Sequence, residues 1–423
     1  MAFPEPELLT SLVSRVFKIE DVTSGDPVQT GWVARYRGHL IVEDSVEAYD
    51  QLAESVKPYG LMPLFRKDKE LQVVFLAPAL PDPKKRLPVL NIVMFILTVF
   101  SVMLAGAQPE GPIPTDTLGQ MLAMVKNIFT GWPFALALMG ILLSHEFGHY
   151  LMSRHYKTAA TLPFFIPLPF SPLGTMGAVI QMQGIPKNKR TLFDIGIAGP
   201  LAGLVVALPV LMFGLSISRL GVITDNVYPA VQDAKNAVCQ PPVFVMGNSG
   251  PYTCPADNFL EGNSLLYLGA KYLAFGKLLP APAATHGQSL FVYWLKYFFT
   301  GNPIPLGGLD VMIDPVAFAG WAGLLVTALN LIPAGMLDGG HVTYALFGDK
   351  VRKVFPFIVA ALIGMGFFWS GWWLWAALLF WVGRTHAEPL DQITELDSKR
   401  RALGWFAIVI FVLVFTPVPM VLF

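Results

Sequence analysis

Two histidines and a glutamate stand inside an apolar stretch, "ALMGILLSHEFGHYLMSRHY", at residues 137–156. On a helix, His145 and His149 lie one turn apart on the same face, so both imidazoles can reach one metal ion. Glu146 projects about 100° round the helix from His145, close enough to touch a metal-bound water without being a ligand. The spacing HExxH is the one that zinc hydrolases use, and it predicts a metal-dependent hydrolytic site.

The apolar surroundings of these residues favour that interpretation. A charged side chain at the centre of a bilayer costs roughly 2.5 to 3.5 kcal/mol on insertion scales. A glutamate and two histidines in a membrane span would be costly without a metal ion to neutralise and coordinate them. The alternative is a pair of core histidines that bond neighbouring helices.

A third ligand candidate follows a second apolar stretch, "ALNLIPAGMLDGGH", at residues 328–341. Asp338 comes directly after a broken helix end, and three protein ligands with one open position are what a catalytic zinc site needs. We therefore expect one Zn²⁺ per chain. The alternative for Asp338 is a turn residue before Gly339 and Gly340. We interpret His341 as a neighbour of the site rather than a ligand.

The composition indicates a multi-spanning membrane protein. Of the 423 residues, 54% are apolar and only 14% are charged, whereas about a quarter are charged in ordinary soluble proteins. The formal net charge of zero gives no indication of a nucleic-acid partner, and no pattern indicates an oligomeric state. Seven candidate spans follow from the apolar runs, at residues 89–107, 132–152, 194–218, 316–332, 355–369, 371–382 and 403–421.

Lysine and arginine residues predict the orientation of these spans. Four basic groups fall on one side of the membrane if the spans alternate, which places that side and the N-terminus in the cytoplasm or on the equivalent side of an organelle membrane. The N-terminus has acidic residues where a signal peptide has basic ones, so no cleavable signal is expected. The basic groups lie in residues 84–86, 154–190, 350–353 and 384–401.

Two domains are expected. Residues 1–87 have soluble composition and the pattern of a small β-α-β-β domain, followed by a membrane domain at 88–423 with an extracytoplasmic insertion at 219–315. Cys239 and Cys254 of that insertion form a disulfide if it faces an oxidising compartment and are otherwise two free thiols. Asp194 is expected to cap the helix that it begins.

Several motifs resemble the site-2 protease family of intramembrane zinc metalloproteases. "SHEFGHY" followed by "NLIPAGMLDGGH" resembles the two metal motifs, and "GTMGAVIQM" and "FDIGIAGPLAGL" resemble the strand loop and second core helix. The resemblance covers about residues 132–341. The N-terminal unit and "DPVAFAGW" are most similar to the cyanobacterial and chloroplast branch. The resemblance to the family implies an α-helical polytopic membrane protein with a site-2-protease-like core and a small N-terminal α+β soluble domain.

The resemblance also implies roles for particular residues. His145, His149 and Asp338 would be zinc ligands, and Glu146 the general base. Asn330 matches an asparagine placed near the scissile carbonyl, although an interhelical hydrogen bond is an alternative role. Gly335 departs from the family, since many members have proline at that position. The small residues of "IAGPLAGL" are expected to let this helix approach the metal-bearing helix closely.

The expected function is that of a zinc-dependent intramembrane endopeptidase acting on transmembrane helices of other proteins within the lipid bilayer. The proline-rich stretch "PFFIPLPFSPLGTMGAVIQMQGIP" can hold a substrate unwound and offer it a strand edge. Two alternatives remain: a catalytically silent scaffold or transporter of the same fold, and a zinc peptidase for soluble or lipidated peptides. The intact Glu146 disfavours the silent form, and the absence of paired broken half-repeats disfavours a transporter.

Overall fold

The computed structural model describes residues 3–68, 70–81, 87–108, 113–114, 117–223, 227–233, 236–239, 253–255, 259–285, 287–382 and 388–422. Some sequence-based expectations fall outside this part of the chain. The basic residues at 84–86 and Arg384 lie outside the described residues. So do the side chains of Cys239 and Cys254, on which the expected disulfide depends.

The chain begins with a four-stranded antiparallel sheet and its helices. The strand order is β1-β2-β4-β3. The predicted β-α-β-β segment forms β2, α3, β3 and β4. The structure adds α1 and β1, which were not predicted. The sequence pattern did not indicate β1 because this strand buries only its first residue and so lacks alternation of buried and exposed residues. The elements are α1 (Pro6–Val13), β1 (Phe17–Ser24), α2 (Pro27–Thr30), β2 (Ala34–Leu40), α3 (Ser45–Val56), a 3₁₀ turn (Lys57–Tyr59), β3 (Leu61–Asp68) and β4 (Leu71–Pro78).

Local sequence explains the position of α3 on this sheet. The side chain of Asp44 accepts a hydrogen bond from the Val46 N–H (3.1 Å), which caps the first turn. Ala48, Leu52 and Val56 recur at every fourth residue and are buried against the sheet. The N-terminal sheet therefore has its own apolar core.

The first helices of the apolar region surround a β-hairpin. Within the described residues, two stretches are long and apolar enough to cross a membrane, Ile128–His155 and Lys189–Ile217. These stretches contain α6 and α7, on which the expected core motifs lie. The elements are α4 (Val89–Ala105), β5 (Ile113–Pro114), α5 (Thr117–Lys126), a 3₁₀ turn (Ile128–Gly131), α6 (Trp132–His155), β6 (Phe164–Pro167), β7 (Thr175–Val179) and α7 (Lys189–Ile217).

The hairpin of β6 and β7 lies lengthwise against α4. Near the start of α4, the Asn91 amide donates to the carbonyl of Leu162 at 2.9 Å. Further along, the Ser101 hydroxyl donates to the carbonyl of Gly174 at 2.6 Å. These two residues of α4 are about 15 Å apart along the helix axis. The hairpin therefore re-enters the apolar region after α6 instead of staying at its end.

The described residues of the insertion between α7 and the next long helix form short strands and two helices. β8 pairs with β13 and closes the insertion. Lys271 is fully buried, and its Nζ lies 2.9 Å from Asp310 and 3.1 Å from Glu261, which ties α8 to β12 and β13. The elements are β8 (Arg219–Val222), β9 (Val227–Asp233), β10 (Asn236–Cys239), β11 (Thr253–Pro255), β12 (Phe259–Glu261), α8 (Leu265–Phe275), α9 (Leu290–Thr300) and β13 (Leu309–Met312).

The described part of the chain after the insertion contains five further helices. The expected break at "FFWSGWW" separates α12 from α13. Each of the seven expected spans overlaps a helix, but α4, α10, α12, α13 and α14 have only 12 to 17 residues, and the last expected span, 403–421, runs beyond the end of α14 into β14. The elements are α10 (Pro315–Asn330), α11 (Asp338–Phe347), α12 (Lys350–Met365), α13 (Gly371–Val382), α14 (Ser398–Val414) and β14 (Met420–Leu422).

Residues 388–397, which we call the connecting segment, join the N-terminal sheet to the helical region. On one side, the Phe65 N–H of edge strand β3 donates to the carbonyl of Leu390 at 2.9 Å. On the other side, the Asp391 N–H donates to the carbonyl of Lys187, just before α7, at 2.8 Å. The connecting segment thus lies as a short strand between β3 and the residues just before α7, and it is hydrogen-bonded to both.

The side chain of Asp391 is buried at the centre of this junction. Its Oδ2 accepts a hydrogen bond from the Ser45 hydroxyl at 2.8 Å, and its Oδ1 accepts one from the Ile393 N–H at 2.8 Å. Burial, together with the nearby Asp391 carboxylate, raises the pKa of the Tyr49 phenol well above its ordinary value. The N-terminal sheet is therefore docked through a desolvated, hydrogen-bonded contact.

Candidate metal centre

The two histidines of α6 converge as the helical spacing predicts. The Nε2 atoms of His145 and His149 are 3.2 Å apart. His149 Nδ1 lies 2.7 Å from the carbonyl oxygen of Ile195 on α7. Because a carbonyl can only accept, Nδ1 of His149 carries the proton and its Nε2 presents a lone pair. The orientation of His149 is thus set by the backbone of α7.

Asp338 brings a carboxylate to the same point. It is the first residue of α11, and its Oδ2 lies 3.4 Å from His145 Nε2 and 3.2 Å from His149 Nε2. The three ligand atoms all lie within 4.8 Å of one another, and they are the one such group found among the described residues. The side chains that the sequence predicted as ligands therefore meet in space.

This donor set fits a zinc ion. A tetrahedral ion with bonds of about 2.0 to 2.1 Å holds neighbouring ligand atoms about 3.3 to 3.4 Å apart, and the measured separations are 3.2, 3.2 and 3.4 Å. Two imidazole nitrogens and a carboxylate oxygen are also zinc's usual ligands. A cation at their centre would satisfy lone pairs that otherwise face one another.

The loop between α10 and α11 positions Asp338. Pro333 cannot continue α10, which ends at Asn330. Gly335 has φ 56°, a left-handed conformation that proline, with φ fixed near −65°, cannot adopt. A proline is therefore excluded by the path of this loop. Gly339 packs so tightly against the carbonyls of the preceding loop that a Cβ atom would overlap them.

Glu146 and Asn330 lie beside the three donors. Glu146 follows His145 on α6 and is only 6% exposed, but it is not a member of the converging group. The side-chain Nδ2 of Asn330 is 3.3 Å from His145 Nε2. The structure thus brings both residues to the site at which the sequence placed them.

Glycines of α7 make room for the histidines. A Cβ atom on Gly199 would overlap the His149 ring, and one on Gly203 would lie 3.3 Å from His145 Nδ1. Gly148 of α6 packs in turn against the backbone of Ala198. The expected close approach of these two helices is confirmed, and it allows the Ile195 carbonyl to reach His149.

The sequence-based expectations for two other polar residues near the site have different outcomes. His341 is buried beside α7 and is not among the converging donors. The expectation that Asp194 caps its helix is wrong, because α7 begins at Lys189 and its cap is Asn188, whose Oδ1 accepts from the Thr191 N–H at 2.8 Å. The helix starts earlier than its apolar run, and Asp194 lies in its second turn.

A spanning-length helix that carries two histidines, met by a carboxylate from a downstream loop, defines a metallopeptidase-like site. The model of Peptidase family M50 matches residues 133–370, which is more than half of the chain. The chain belongs to this family, the site-2 protease family. No solved structure matches this chain.

Three relatives of this chain are plant proteins. The chain is 28% identical over 347 residues to the "Probable zinc metalloprotease EGY1, chloroplastic" of Oryza sativa subsp. japonica, covering 78% of this chain and 50% of that protein. The Arabidopsis thaliana protein of the same name is 27% identical over 344 residues, covering 78% and 53%. The "Probable zinc metalloprotease EGY2, chloroplastic" of Oryza sativa subsp. indica is 25% identical over 326 residues, covering 77% and 49%. The chain spans about half the length of these relatives.

Proposed function

We propose that this protein is a zinc-dependent intramembrane endopeptidase that hydrolyses peptide bonds in or near the transmembrane helices of other proteins. The observation that carries the proposal is the convergence of Asp338 of α11 with His145 and His149, which lie on a helix of spanning length with Glu146 beside them. A structural metal site would not need a buried carboxylate next to its ligands. A hydrolytic site does, because the attacking water must lose a proton.

His145, His149 and Asp338 would hold one Zn²⁺ per chain. When bound there, zinc polarises a substrate carbonyl and lowers the pKa of its water. Glu146 accepts the proton of the attacking water and returns it to the leaving nitrogen. Its position next to His145, outside the donor group, suits this role because it can reach the water without being a ligand.

Asn330 would orient the scissile carbonyl. Its amide lies 3.3 Å from His145 Nε2, so it points at the donor cluster from α10. Once that nitrogen lone pair is used by a metal, it no longer accepts a hydrogen bond, and the Asn330 amide is available to a substrate. A hydrogen bond to a carbonyl that develops negative charge is worth most in such a water-poor site.

The membrane position of the site supports this substrate class. We propose that the seven apolar helices cross a cell inner membrane or an organelle membrane, with residues 1–87 on the cytoplasmic side and the insertion at 219–315 on the other side. His145 and His149 lie in the half of α6 nearer its C-terminus, and the basic residues that follow this helix favour the cytoplasmic side for that end. Cleavage would then occur in the cytoplasmic part of the substrate helix.

The hairpin offers a means of holding an unwound substrate. Among the described residues, β7 pairs only with β6, and β6 packs along α4. Met176 and Val179 of β7 are exposed. A substrate segment could join β7 as a further strand, which would keep its backbone extended and its carbonyls accessible.

The test is the variant Glu146→Gln, compared with wild type and with Glu54→Gln, an exposed glutamate of α3. The purified proteins are assayed for bound zinc and for cleavage of a panel of membrane-helix substrates. We expect Glu146→Gln to keep its zinc and to lose cleavage by about 10²- to 10⁴-fold, while Glu54→Gln behaves as wild type. Equal cleavage by Glu146→Gln and wild type would refute the proposal.

Soluble and membrane substrates must be compared in the same assay. Each transmembrane segment in the panel is matched by a soluble peptide that contains the same cleaved bond. Preference for the membrane form supports the intramembrane assignment. Preference for the soluble form would instead indicate a zinc peptidase of soluble or lipidated peptides, and no cleavage of either form by a zinc-loaded wild type would favour a silent scaffold.

A further inference from the structure

Three side chains from three different helices meet below the metal centre. Arg400, in the first turn of α14, donates from Nε to Asp194 Oδ1 at 2.8 Å and from Nη2 to Asp194 Oδ2 at 2.6 Å. Tyr156, the C-cap residue that directly follows α6, donates its hydroxyl hydrogen to Asp194 Oδ2. Nη2 of Arg400 also lies 3.3 Å from the Tyr156 oxygen. We call Tyr156, Asp194 and Arg400 the cytoplasmic anchor.

The contacts of this anchor are strong and directional. The side chain of Asp194 is 14% exposed and that of Arg400 is 28% exposed, so solvent screens them less than a surface pair. The arginine fork binds both carboxylate oxygens, an arrangement that fixes relative orientation as well as distance. The anchor therefore defines the relative positions of α6, α7 and α14.

The anchor lies on the helix faces that carry the metal site. His149 and Tyr156 are two helical turns apart on α6, about 10 Å along the axis, and therefore point to the same side. On α7, Asp194 directly precedes Ile195, whose carbonyl accepts from His149 Nδ1 at 2.7 Å. Helices α6 and α7 thus make two polar contacts at adjacent residues of α7, one to the metal-site histidine and one to the anchor.

Near the metal site the contact between α6 and α7 is made mainly by glycines, whereas larger apolar side chains such as Leu138 of α6 and Leu211 of α7 belong to one buried cluster further from the C-terminus of α6. Gly148, Gly199 and Gly203 bring the backbones close together but have no side chains that interlock. Small residues allow close packing without resisting a shift along the helix axis. In this glycine-rich part of the interface, the polar contacts at the cytoplasmic end are the directional contacts that hold the Ile195 carbonyl opposite His149 Nδ1.

We propose that Tyr156, Asp194 and Arg400 are positioning residues of the metal centre. They hold α7 in the register at which the Ile195 carbonyl orients the imidazole of His149, and they thereby determine how well His149 Nε2 binds zinc. This inference rests on the metal role proposed for His149. It assigns to Arg400, on a helix that contributes no ligand, an effect on metal affinity.

The test uses Arg400→Gln and the milder Tyr156→Phe, with Arg401→Gln as the matched control. Arg401 is the next residue of α14, is 58% exposed and pairs with Glu395 at 3.0 Å. Zinc affinity is measured by competition with a chelator, and the visible absorption spectrum of the Co²⁺-loaded protein reports the geometry of its ligands. Neither measurement requires a substrate.

We expect Arg400→Gln to weaken zinc binding by about 10- to 100-fold, as is typical when a group that orients a metal ligand is removed, and to change the Co²⁺ spectrum. Tyr156→Phe should shift both in the same direction by less, and Arg401→Gln should match wild type. Arg400→Lys keeps the charge but not the fork, so it should restore the affinity only in part.

The positioning role would be refuted if Arg400→Gln and Tyr156→Phe lowered only the Tm and left both the zinc affinity and the Co²⁺ spectrum unchanged. If Arg400→Gln does not fold, Tyr156→Phe decides the question, because it removes a single oxygen. A wild type that binds no zinc would instead refute the proposed function, so the two failures are distinguishable.

Discussion

Oδ2 of Asp338 lies 3.2 Å from Nε2 of His149, although the two residues belong to different helices far apart in the chain. Nδ1 of the same histidine is fixed by the backbone of α7, and Asp338 is held by the loop that precedes α11. The metal centre therefore depends on three separate backbone segments, and each can be tested by a change that leaves the others intact.

Asp338→Asn is expected to abolish stoichiometric zinc binding. The substitution keeps the shape of the side chain but removes the negative charge that faces both histidine nitrogens. Zinc content per chain, measured by elemental analysis after purification, checks the prediction. Asp349→Asn, at an exposed aspartate just before α12, is the matched control and should retain zinc. Full occupancy in Asp338→Asn would transfer the role of third ligand to His341.

Gly199→Ala is expected to lower zinc affinity and cleavage together. Its Cβ atom would overlap the His149 ring, which has to move away from Asp338 or force α6 and α7 apart. Gly140→Ala on α6 is the control, because nothing lies within 4 Å of the added Cβ, and it should stabilise the helix by up to about 1 kcal/mol. A zinc affinity equal to that of the wild type in Gly199→Ala would contradict the prediction, since it would mean that α6 and α7 can move apart without affecting the site.

Asn330→Ala distinguishes the two roles considered for this residue. If its amide supports the scissile carbonyl, zinc content stays at the wild-type level and kcat falls by about 10²- to 10³-fold. Zinc content, kcat and Tm are to be measured on the same preparation. A lower Tm with unchanged kcat would mean that Asn330 serves as an interhelical hydrogen-bonding residue instead.

Asp391→Ala is expected to loosen the N-terminal sheet from the helical region. It removes the acceptor of the Ile393 and Thr394 N–H groups and leaves the buried Ser45 and Thr394 hydroxyls with only each other as partners, at about 1 to 3 kcal/mol for each group left unsatisfied. Faster hydrogen exchange at the β3 edge would reveal the change. Asp50→Asn, which removes a half-exposed ion pair with Lys187, should cost no more than about 1 kcal/mol; equal exchange in both variants would contradict the prediction.

The convergence of the candidate ligands could be predicted in large part because helix geometry fixes two of them locally. Residues four apart on one helix must share a face, so the convergence of His145 and His149 follows from their spacing. Asp338 was identified by the broken helix before it and by its motif. Helix α6 and the approach of α7 were likewise indicated by apolar length and by small residues.

Contacts between distant segments could not be predicted in this way. Asp194 lies near the start of an apolar run, where a capping role explains it, and nothing in its neighbourhood points to Arg400. The polar turn from Lys189 extends α7 backward because Asn188 caps it, which hydropathy does not reveal. Strand β1 was missed because a strand with one buried residue has no alternation.

The connecting segment also bears on how the molecule is made. A chain is synthesised from its N-terminus, so the N-terminal sheet is complete long before Leu390 is translated. Until then the edge of β3 lacks the partner that it has in the finished protein, and an open strand edge invites pairing with other chains. Docking of the N-terminal sheet is therefore a late event in biogenesis, because it can begin only after every helix up to α13 has been synthesised.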